Sequence, residues 1–435
     1  MAEQFFQRGN YAPVPDELTA FDLPVEGQIP ADLEGWYLRN GPNPRKPTAH
    51  WFAGDGMVHG VRIENGRAAW YRNRWVRTES FEHDFGVYNA DGTRNLHSSV
   101  ANTHIVNHAG RTLALVESSL PYEITNELQT VGAYDFGGKL NDAMTAHPKI
   151  CPTTGELHFF GYGSIFAPHV TYHRADADGE LTVNRPIDVP ALTMMHDFAM
   201  TSGHVVFMDL PIVFDLDAAM SGNGDMPFRW SDEYGARFGV LRRDDPFGEV
   251  RWFDIDPCYV FHVANAYEKA GETGSILVLQ AVRYPELWRD SGGLDADAVM
   301  WTWTIDLQTG AVSEGPLDDR SVEFPRIDDR LAGLPARYAV TVGDQRLIRH
   351  DLTTGTAVEH SFGDAGGPGE AVFVPAATGA ADESNGWYLA YVYDGDRDGS
   401  DLVIIDAGDF SAPPIAKIGL PQRVPYGFHG NWIAG

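Results

Sequence analysis

The chain is poor in cysteine: Cys151 and Cys258 are the only two in 435 residues. One pair cannot build a disulfide framework for a chain of this size, and such sparse thiols suit a reducing compartment. Basic residues are also in short supply. The 32 Lys and Arg against 61 Asp and Glu leave a formal net charge of −29. That balance argues against a nucleic-acid partner and against attraction to anionic lipid headgroups. It does not exclude a weak peripheral apolar contact with a membrane. No stretch is apolar over the length of a membrane-spanning helix. The start, MAEQFFQRGNYAPVPDEL, lacks the basic and apolar segments of a secretory signal. A soluble cytoplasmic protein is therefore expected. No GxGxxG is present to cradle a dinucleotide, so neither nicotinamide nor flavin is expected.

Long helical periodicity is scarce too, and the clearest helical candidate is the short stretch around Leu216–Met220. Strand–turn–strand signatures recur in its place: VRIENGRAAWYRNRW (61–75), THIVNHAGRTLALVE (103–117), KICPTTGELHFFGY (149–162), TSGHVVFMDL (201–210), MWTWTIDLQTGAV (300–312) and RLIRHDLTTGTAVEH (346–360). Each sets a Gly-bearing turn between β-branched or aromatic runs, as hairpins require. Many short strands at regular spacing mean a sandwich, barrel or propeller, and a propeller with elaborated blades uses this length naturally. No low-complexity linker divides the chain, so residues 1–435 are expected to form one all-β domain.

Of the 16 histidines, His83, His97, His108, His173, His204, His350 and His360 sit beside turns or charges and are expected to be exposed. Four differ. His147 (NDAMTAHPKI), His196 (ALTMMHDFAM), His262 (DPCYVFHVANAY) and His429 (VPYGFHGNWI) have apolar or aromatic flanks. His429 lies six residues from the end, where chains fray unless docked, yet Phe428 and Trp432 flank it. Four imidazoles could converge on a propeller axis if each sits on the innermost strand of its blade, a donor set that suits a borderline metal such as iron. On spacing alone, four separate core histidines remain the simpler reading. A metal-bound histidine usually donates its other ring N–H to a carboxylate or carbonyl. Glu117, Glu323 and Glu370 end or open apolar runs where such a carboxylate could sit, though a strand end facing water explains any one of them alone.

The ordered motifs GWYLRNGPNP (35–44), FAGDGMVHGVRIENG (52–66), RWVRT (74–78), ANTHIVNHAGRTLALVE (101–117), TAHPK (145–149), MMHDFAMT (194–201), VFHVANAYE (260–268), VEFPRID (322–328), GEAVFVP (369–375) and GFHGNW (427–432) resemble the carotenoid cleavage oxygenases nearly end to end. That resemblance implies a seven-bladed β-propeller, with short helices and loops capping the iron-bearing face, and non-haem Fe(II) on the axis. His147, His196, His262 and His429 would be the iron ligands, with Glu117, Glu323 and Glu370 orienting His196, His262 and His429. Thr103 matches a threonine near the open side of the metal. O2 would be the co-substrate, and a conjugated C=C bond would be cut to two carbonyl products.

Family members act on carotenoids and apocarotenoids or on phenolic stilbenes and phenylpropenes. The phenolic enzymes typically carry a lysine before the glutamate of an LAxKE stretch, with a tyrosine upstream. Here the stretch reads LALVE, with Val116 at that position, and the upstream tyrosine matches Tyr88. Valine offers no hydrogen bond, so a hydrophobic polyene is the expected substrate. Tyr259 and Phe198 are candidate pocket aromatics, and MDLPIVFDLDAAM (208–220) a candidate tunnel mouth, with core packing the competing explanation. A non-catalytic propeller scaffold would be marked by a lost ligand, and none is lost. Asp197, next to His196, is expected to point away from the metal and serve structure, since side chains alternate along a strand.

Overall fold

The turn residues act as expected. Asn65 and Gly66 take φ of 52° and 66°, the left-handed pair that a two-residue hairpin turn needs, and join strands Gly56–Glu64 and Arg67–Trp75. Five of the six strand–turn–strand segments contain an antiparallel pair, and in 201–210 the strand His204–Asp209 pairs with Phe198–Met200, just ahead of the segment. This computed structural model describes residues 4–83, 86–221, 226–272, 274–289, 297–377 and 382–435. Its strands make seven antiparallel sheets of four or more strands, the blades of a propeller. An additional two-stranded hairpin, Ile212–Phe214 with Phe228–Trp230, and the helix Leu216–Ser221 stand out from the fourth blade.

In order round the axis, the innermost strands are Gly430–Ala434, His104–His108, Lys149–Ile150, Phe198–Met200, Tyr259–Ala270, Glu323–Arg326, and Gly366–Pro368 with Val372–Pro375. A sheet packed by a neighbour on both faces loses its polar–apolar alternation. Leu157–Tyr162 and Phe198–Met200 are accordingly buried at every position. Trp303, Tyr37 and Tyr172 are among the largest side chains fully enclosed between blades.

Closure uses both chain ends. The first blade takes Thr19–Phe21, Gly35–Pro42, Gly56–Glu64 and Arg67–Trp75 from the start of the chain and its innermost strand from the end, paired from Gly35↔Ala434 to Arg39↔Gly430. The seventh blade borrows its outermost strand, Val25–Gly27, which pairs with Ala416–Gly419. The segment before Gly430 passes so close to the first blade that a Cβ on Gly427 would stand 2.8 Å from the Asn40 carbonyl oxygen. The docked C-terminus expected from GFHGNW is thus the strand that shuts the ring.

The exposed-histidine expectation holds for His83 and His97, and His204 is half-buried. It fails for His108, His173, His350 and His360, which are buried. Their rings lie within sheets and find local partners there: His108 Nε2 meets the Gly155 carbonyl at 2.9 Å, and His350 Nε2 meets Thr341 Oγ1 at 2.9 Å. His360 Nδ1 meets the Phe410 carbonyl at 2.8 Å, and His173 stacks on Phe159. Neighbouring turns and charges in sequence did not predict exposure because adjoining blades cover these strands, and His108 and His360 bond carbonyls of the next blade. Both cysteines are buried and unpaired. No helix among the described residues is long and apolar enough to cross a membrane.

The closing strand gives a test of coupling between ring closure and the axis. Ile433, 7% exposed, packs with Leu38, Ile105 and Tyr122 where the first and second blades meet. Ile433→Ala should cost about 2–5 kcal/mol of stability in denaturant unfolding. It should also weaken metal binding, whereas Ile348→Ala, an equally buried truncation in the sixth blade, should cost similar stability and leave metal binding unchanged.

Candidate metal centre

The four singled-out histidines meet on the axis. His262 lies within its innermost strand, and His147, His196 and His429 immediately precede theirs, so all four rings enter the bore at one level. His147 Nε2 stands 2.9 Å from His196 Nε2, which is 3.4 Å from His262 Nε2. Ring nitrogens of His147, His262 and His429 all lie within 4.8 Å of one another. Ring centroids of His429 are 4.6 Å from His147 and 4.7 Å from His262. Backbone bonds fix the last of these, with His429 N–H donating to the Thr103 carbonyl at 3.0 Å and its own carbonyl accepting from Asn40 at 3.0 Å.

Behind three of the rings stand the three glutamates. Glu323 Oε2 is 2.5 Å from His262 Nδ1, and Glu370 Oε1 is 2.8 Å from His429 Nδ1. Glu117 Oε2 is 2.7 Å from His196 Nδ1, an ion-pair distance that lies off the ring's N–H direction. Each carboxylate has a further partner that sequence reasoning missed. The buried Tyr284 hydroxyl donates to Glu323 Oε1 at 2.9 Å. Arg326 donates to Glu370 Oε2 and to the Gly430 carbonyl, both at 3.0 Å, and so ties the sixth and seventh blades to the closing strand. Tyr162 lies against Glu117, and burial together with that carboxylate holds its hydroxyl pKa well above the ordinary value. Arg326 lies within VEFPRID, so the motif held the signal, whereas Tyr162 and Tyr284 carry none in sequence. Phe324 was also missed. It takes a φ of 52°, a left-handed conformation that costs a bulky residue about 1–3 kcal/mol. There its ring stacks on His262 and its N–H donates to Glu323 Oε2 at 2.5 Å.

With a carboxylate behind Nδ1, the neutral form of each of these imidazoles turns its Nε2 lone pair toward the others. Burial, then the neighbouring imidazoles, holds the pKa of His147 and of His429 well below the ordinary value, so both stay neutral. Neutral imidazole is the form that ligates a metal. Ions of this class bind imidazole nitrogen at about 2.1 Å, which places adjacent ligands about 3 Å apart. The 2.9 and 3.4 Å separations fit that spacing.

The lesser candidates lie as follows. Thr103 is buried beside His429 with its hydroxyl donating to Asn102 Oδ1 at 2.9 Å. Val116 is buried, one residue before Glu117. Tyr88 is half-buried, its hydroxyl donating to the Gly163 carbonyl and accepting from Arg94, each at 3.3 Å. Tyr259 is fully enclosed and donates to the Met194 carbonyl at 3.0 Å. Phe198 is enclosed between Phe160 and Phe207, in the core between the third and fourth blades. For Tyr259 and Phe198 core packing, the competing explanation, describes the surroundings. Phe261 takes the place at the metal level, edge-on to His196 at 5.1 Å.

A cavity of about 490 Å³ reaches the histidines along the axis, lined by residues that follow them in their strands, among them Lys149, Asp197, Asn265 and Asp329. These polar groups are set in a largely apolar wall that includes Val106, Ile150, Met200, Val263 and Ile327. The opposite, capping face carries the connections that precede the histidines, because the second strand of each blade returns to the level where the first began. The fourth-blade hairpin and helix lie there, with Leu216 and Met220 60% and 78% exposed. Aromatic rings gather there as well, Trp51 and Phe52 packing on Phe428.

A seven-bladed propeller with four imidazoles facing one another on its axis and carboxylates behind them is a metal-centre propeller. Comparison with known proteins agrees. The sequence profile of the family described as retinal pigment epithelial membrane protein matches residues 11–434. A carotenoid cleavage oxygenase of Mycobacterium tuberculosis is 40% identical, over 98% of this chain and 97% of that one. A carotenoid 9,10(9′,10′)-cleavage dioxygenase of Crocus sativus is 34% identical, over 98% and 88%. Among solved structures, a lignostilbene dioxygenase of Pseudomonas brassicacearum superposes with a TM-score of 0.89 at 28% identity, covering 99% and 98%. The cobalt-substituted form of a Synechocystis protein titled ACO gives 0.85 at 29%, covering 97% of each. The chain belongs to the carotenoid cleavage oxygenase family.

One electrostatic consequence is measurable without metal. Burial opposes a charged His262, but the Glu323 carboxylate outweighs it and the pKa of His262 is raised. Proton titration of the metal-free protein by NMR should find His262 protonating above the ordinary histidine range. In Glu323→Gln, where burial acts without the carboxylate, its pKa should fall below that range.

Proposed function

We propose that the chain is a ferrous-iron dioxygenase that cleaves one conjugated C=C bond of a carotenoid or apocarotenoid. The observation that carries this reading is the convergence of His147, His196, His262 and His429, with three of their Nδ1 atoms facing glutamates. Four bare lone pairs crowded on one axis repel one another, and a central cation turns that repulsion into ligation. Bound ferrous iron supplies the redox chemistry that lets O2 react with an alkene. The reaction balances without an external reductant: the C=C bond breaks, and each carbon receives one oxygen atom of O2 as a carbonyl.

The chain's own tasks are to keep the ligands neutral, hold the rings in place and present one double bond. No acid or base has to act. The tyrosine hydroxyls nearest the glutamates, Tyr162, Tyr259 and Tyr284, have pKa values raised by burial first and by the carboxylates next, so they stay protonated. The hydroxyl of Thr103 is engaged by Asn102, which suits a residue that lines rather than reacts.

A hydrocarbon substrate is supported by two residues. Val116 has no polar atom to meet a phenol, and the Tyr88 hydroxyl is already shared between Gly163 and Arg94. Removing a hydrogen-bonding handle favours a substrate that needs none. Two relatives named for carotenoid cleavage are 40% and 34% identical over nearly the whole chain. Exposed Phe166, Leu216 and Met220 suit pick-up of a poorly soluble polyene from a lipid surface.

Purified protein loaded anaerobically should hold about one ferrous ion per chain and, under O2, convert a carotenoid or apocarotenal to aldehydes. Product analysis on a panel of polyenes and hydroxystilbenes checks this. Turnover of the hydroxystilbene alone would replace the substrate assignment, and absence of bound iron would end the reading altogether.

A further inference from the structure

Three of the four imidazoles have a glutamate behind them. Among the described residues no carboxylate bonds His147, so something else must fix it. The neighbouring bonds converge on one side chain. Asp197 follows His196 directly and is 1% exposed. Its Oδ1 lies 2.7 Å from Lys149 Nζ, and Lys149 is two residues past His147. Its Oδ2 accepts the N–H of Val263, the residue after His262, at 2.8 Å. Its Oδ1 also accepts the N–H of Phe198 at 2.7 Å, which locks the carboxylate to its own strand. One carboxylate therefore touches the third, fourth and fifth blades within two residues of a histidine on each. Thr145 adds a parallel link, its hydroxyl donating to the His196 carbonyl at 3.1 Å and accepting from His147 N–H at 3.2 Å.

We propose that Asp197 is a positioning residue: it joins the three adjacent ligand-bearing strands and sets the spacing of His147, His196 and His262 around the metal. The proposal rests on the reading of these histidines as metal ligands. It goes beyond the glutamates, which orient single rings, because the Asp197 carboxylate fixes backbones relative to one another across blade boundaries. Charge matters as well as reach. Lys149 places a cation near the site, and Asp197 compensates it, so a divalent ion meets a neutral pair. Asparagine cannot replace the aspartate. Its single oxygen can accept from one of the two facing N–H groups, and its own NH2 opposes the other.

The test is a Co(II) titration of the whole chain, with affinity and the visible d–d spectrum as readouts, beside the thermal midpoint of the metal-free protein. Asp197→Asn should weaken Co(II) binding by about 10-fold to 100-fold, the range typical of residues that orient ligands, and should alter the d–d bands. Asp197→Asn with Lys149→Met, which restores neutrality but not the tie, should remain at least about tenfold weak. Asp351→Asn removes another buried aspartate, paired with Arg337 at 2.9 Å in the sixth blade, and should cost stability without changing affinity or spectrum. The proposal is overturned if Asp197→Asn binds within about twofold of the unaltered chain with the same spectrum. Return of the double variant to full affinity also overturns it, since charge alone would then be at work. If the Asp197 variants do not fold, hydrogen exchange in the unaltered chain decides: adding Co(II) should slow exchange at the Val263 amide, and an unchanged rate contradicts the tie. An unaltered chain that binds no Co(II) removes the metal reading instead, which is a separate outcome.

Discussion

The mutual repulsion of four imidazole lone pairs is the constraint on which this structure turns. Ring nitrogens 2.9 and 3.4 Å apart stay there because the scaffold holds them, and a cation between them would join them further. The scaffold supplies the holding force through ring closure. The strand that follows His429 pairs with Gly35–Pro42 and completes the first blade, so one histidine cannot leave the axis without opening the propeller. The others begin or sit within innermost strands whose far faces are packed by whole blades, and side chains packed at interior density resist such movement.

Electrostatics around the axis follow a simple plan. His147 and His429 are held neutral, and negative charge stands behind the rings, on Glu117, Glu323 and Glu370. Each of these is held in turn: by Tyr162, by Tyr284, and by Arg326. A buried carboxylate is costly unless partnered, and these partners come from other blades, so the same contacts that satisfy the charge also lock blades together. The bore along the axis carries Lys149, Asp197 and Asp329 on a wall that is otherwise largely apolar, and the capping face gathers aromatic and exposed aliphatic side chains.

The sequence showed the hairpins, the all-β class, the docked C-terminus and, through its ordered motifs, the residues that converge. Turn chemistry and flanking apolar residues are local, and local signals survive in a sequence. Burial of His108, His173, His350 and His360 was not legible, because it arises from blades packing against one another and not from neighbours in the chain. Tyr162 and Tyr284 were likewise invisible, since one hydroxyl aimed at a carboxylate leaves no pattern. Phe198, a candidate pocket aromatic beside His196, has its ring in the core between blades. For His196-Asp197 the expected division of roles is met: the histidine turns to the axis, and the aspartate bonds Lys149 and the Phe198 and Val263 backbone.

The central claim is that one metal ion sits among four imidazoles. X-ray absorption at the cobalt or iron edge of anaerobically loaded protein measures it directly. The account predicts one ion per chain with four imidazole nitrogens in its nearest layer, the multiple-scattering signature of four rings included. A fit that requires fewer imidazoles, or that places a glutamate oxygen on the metal, would contradict it.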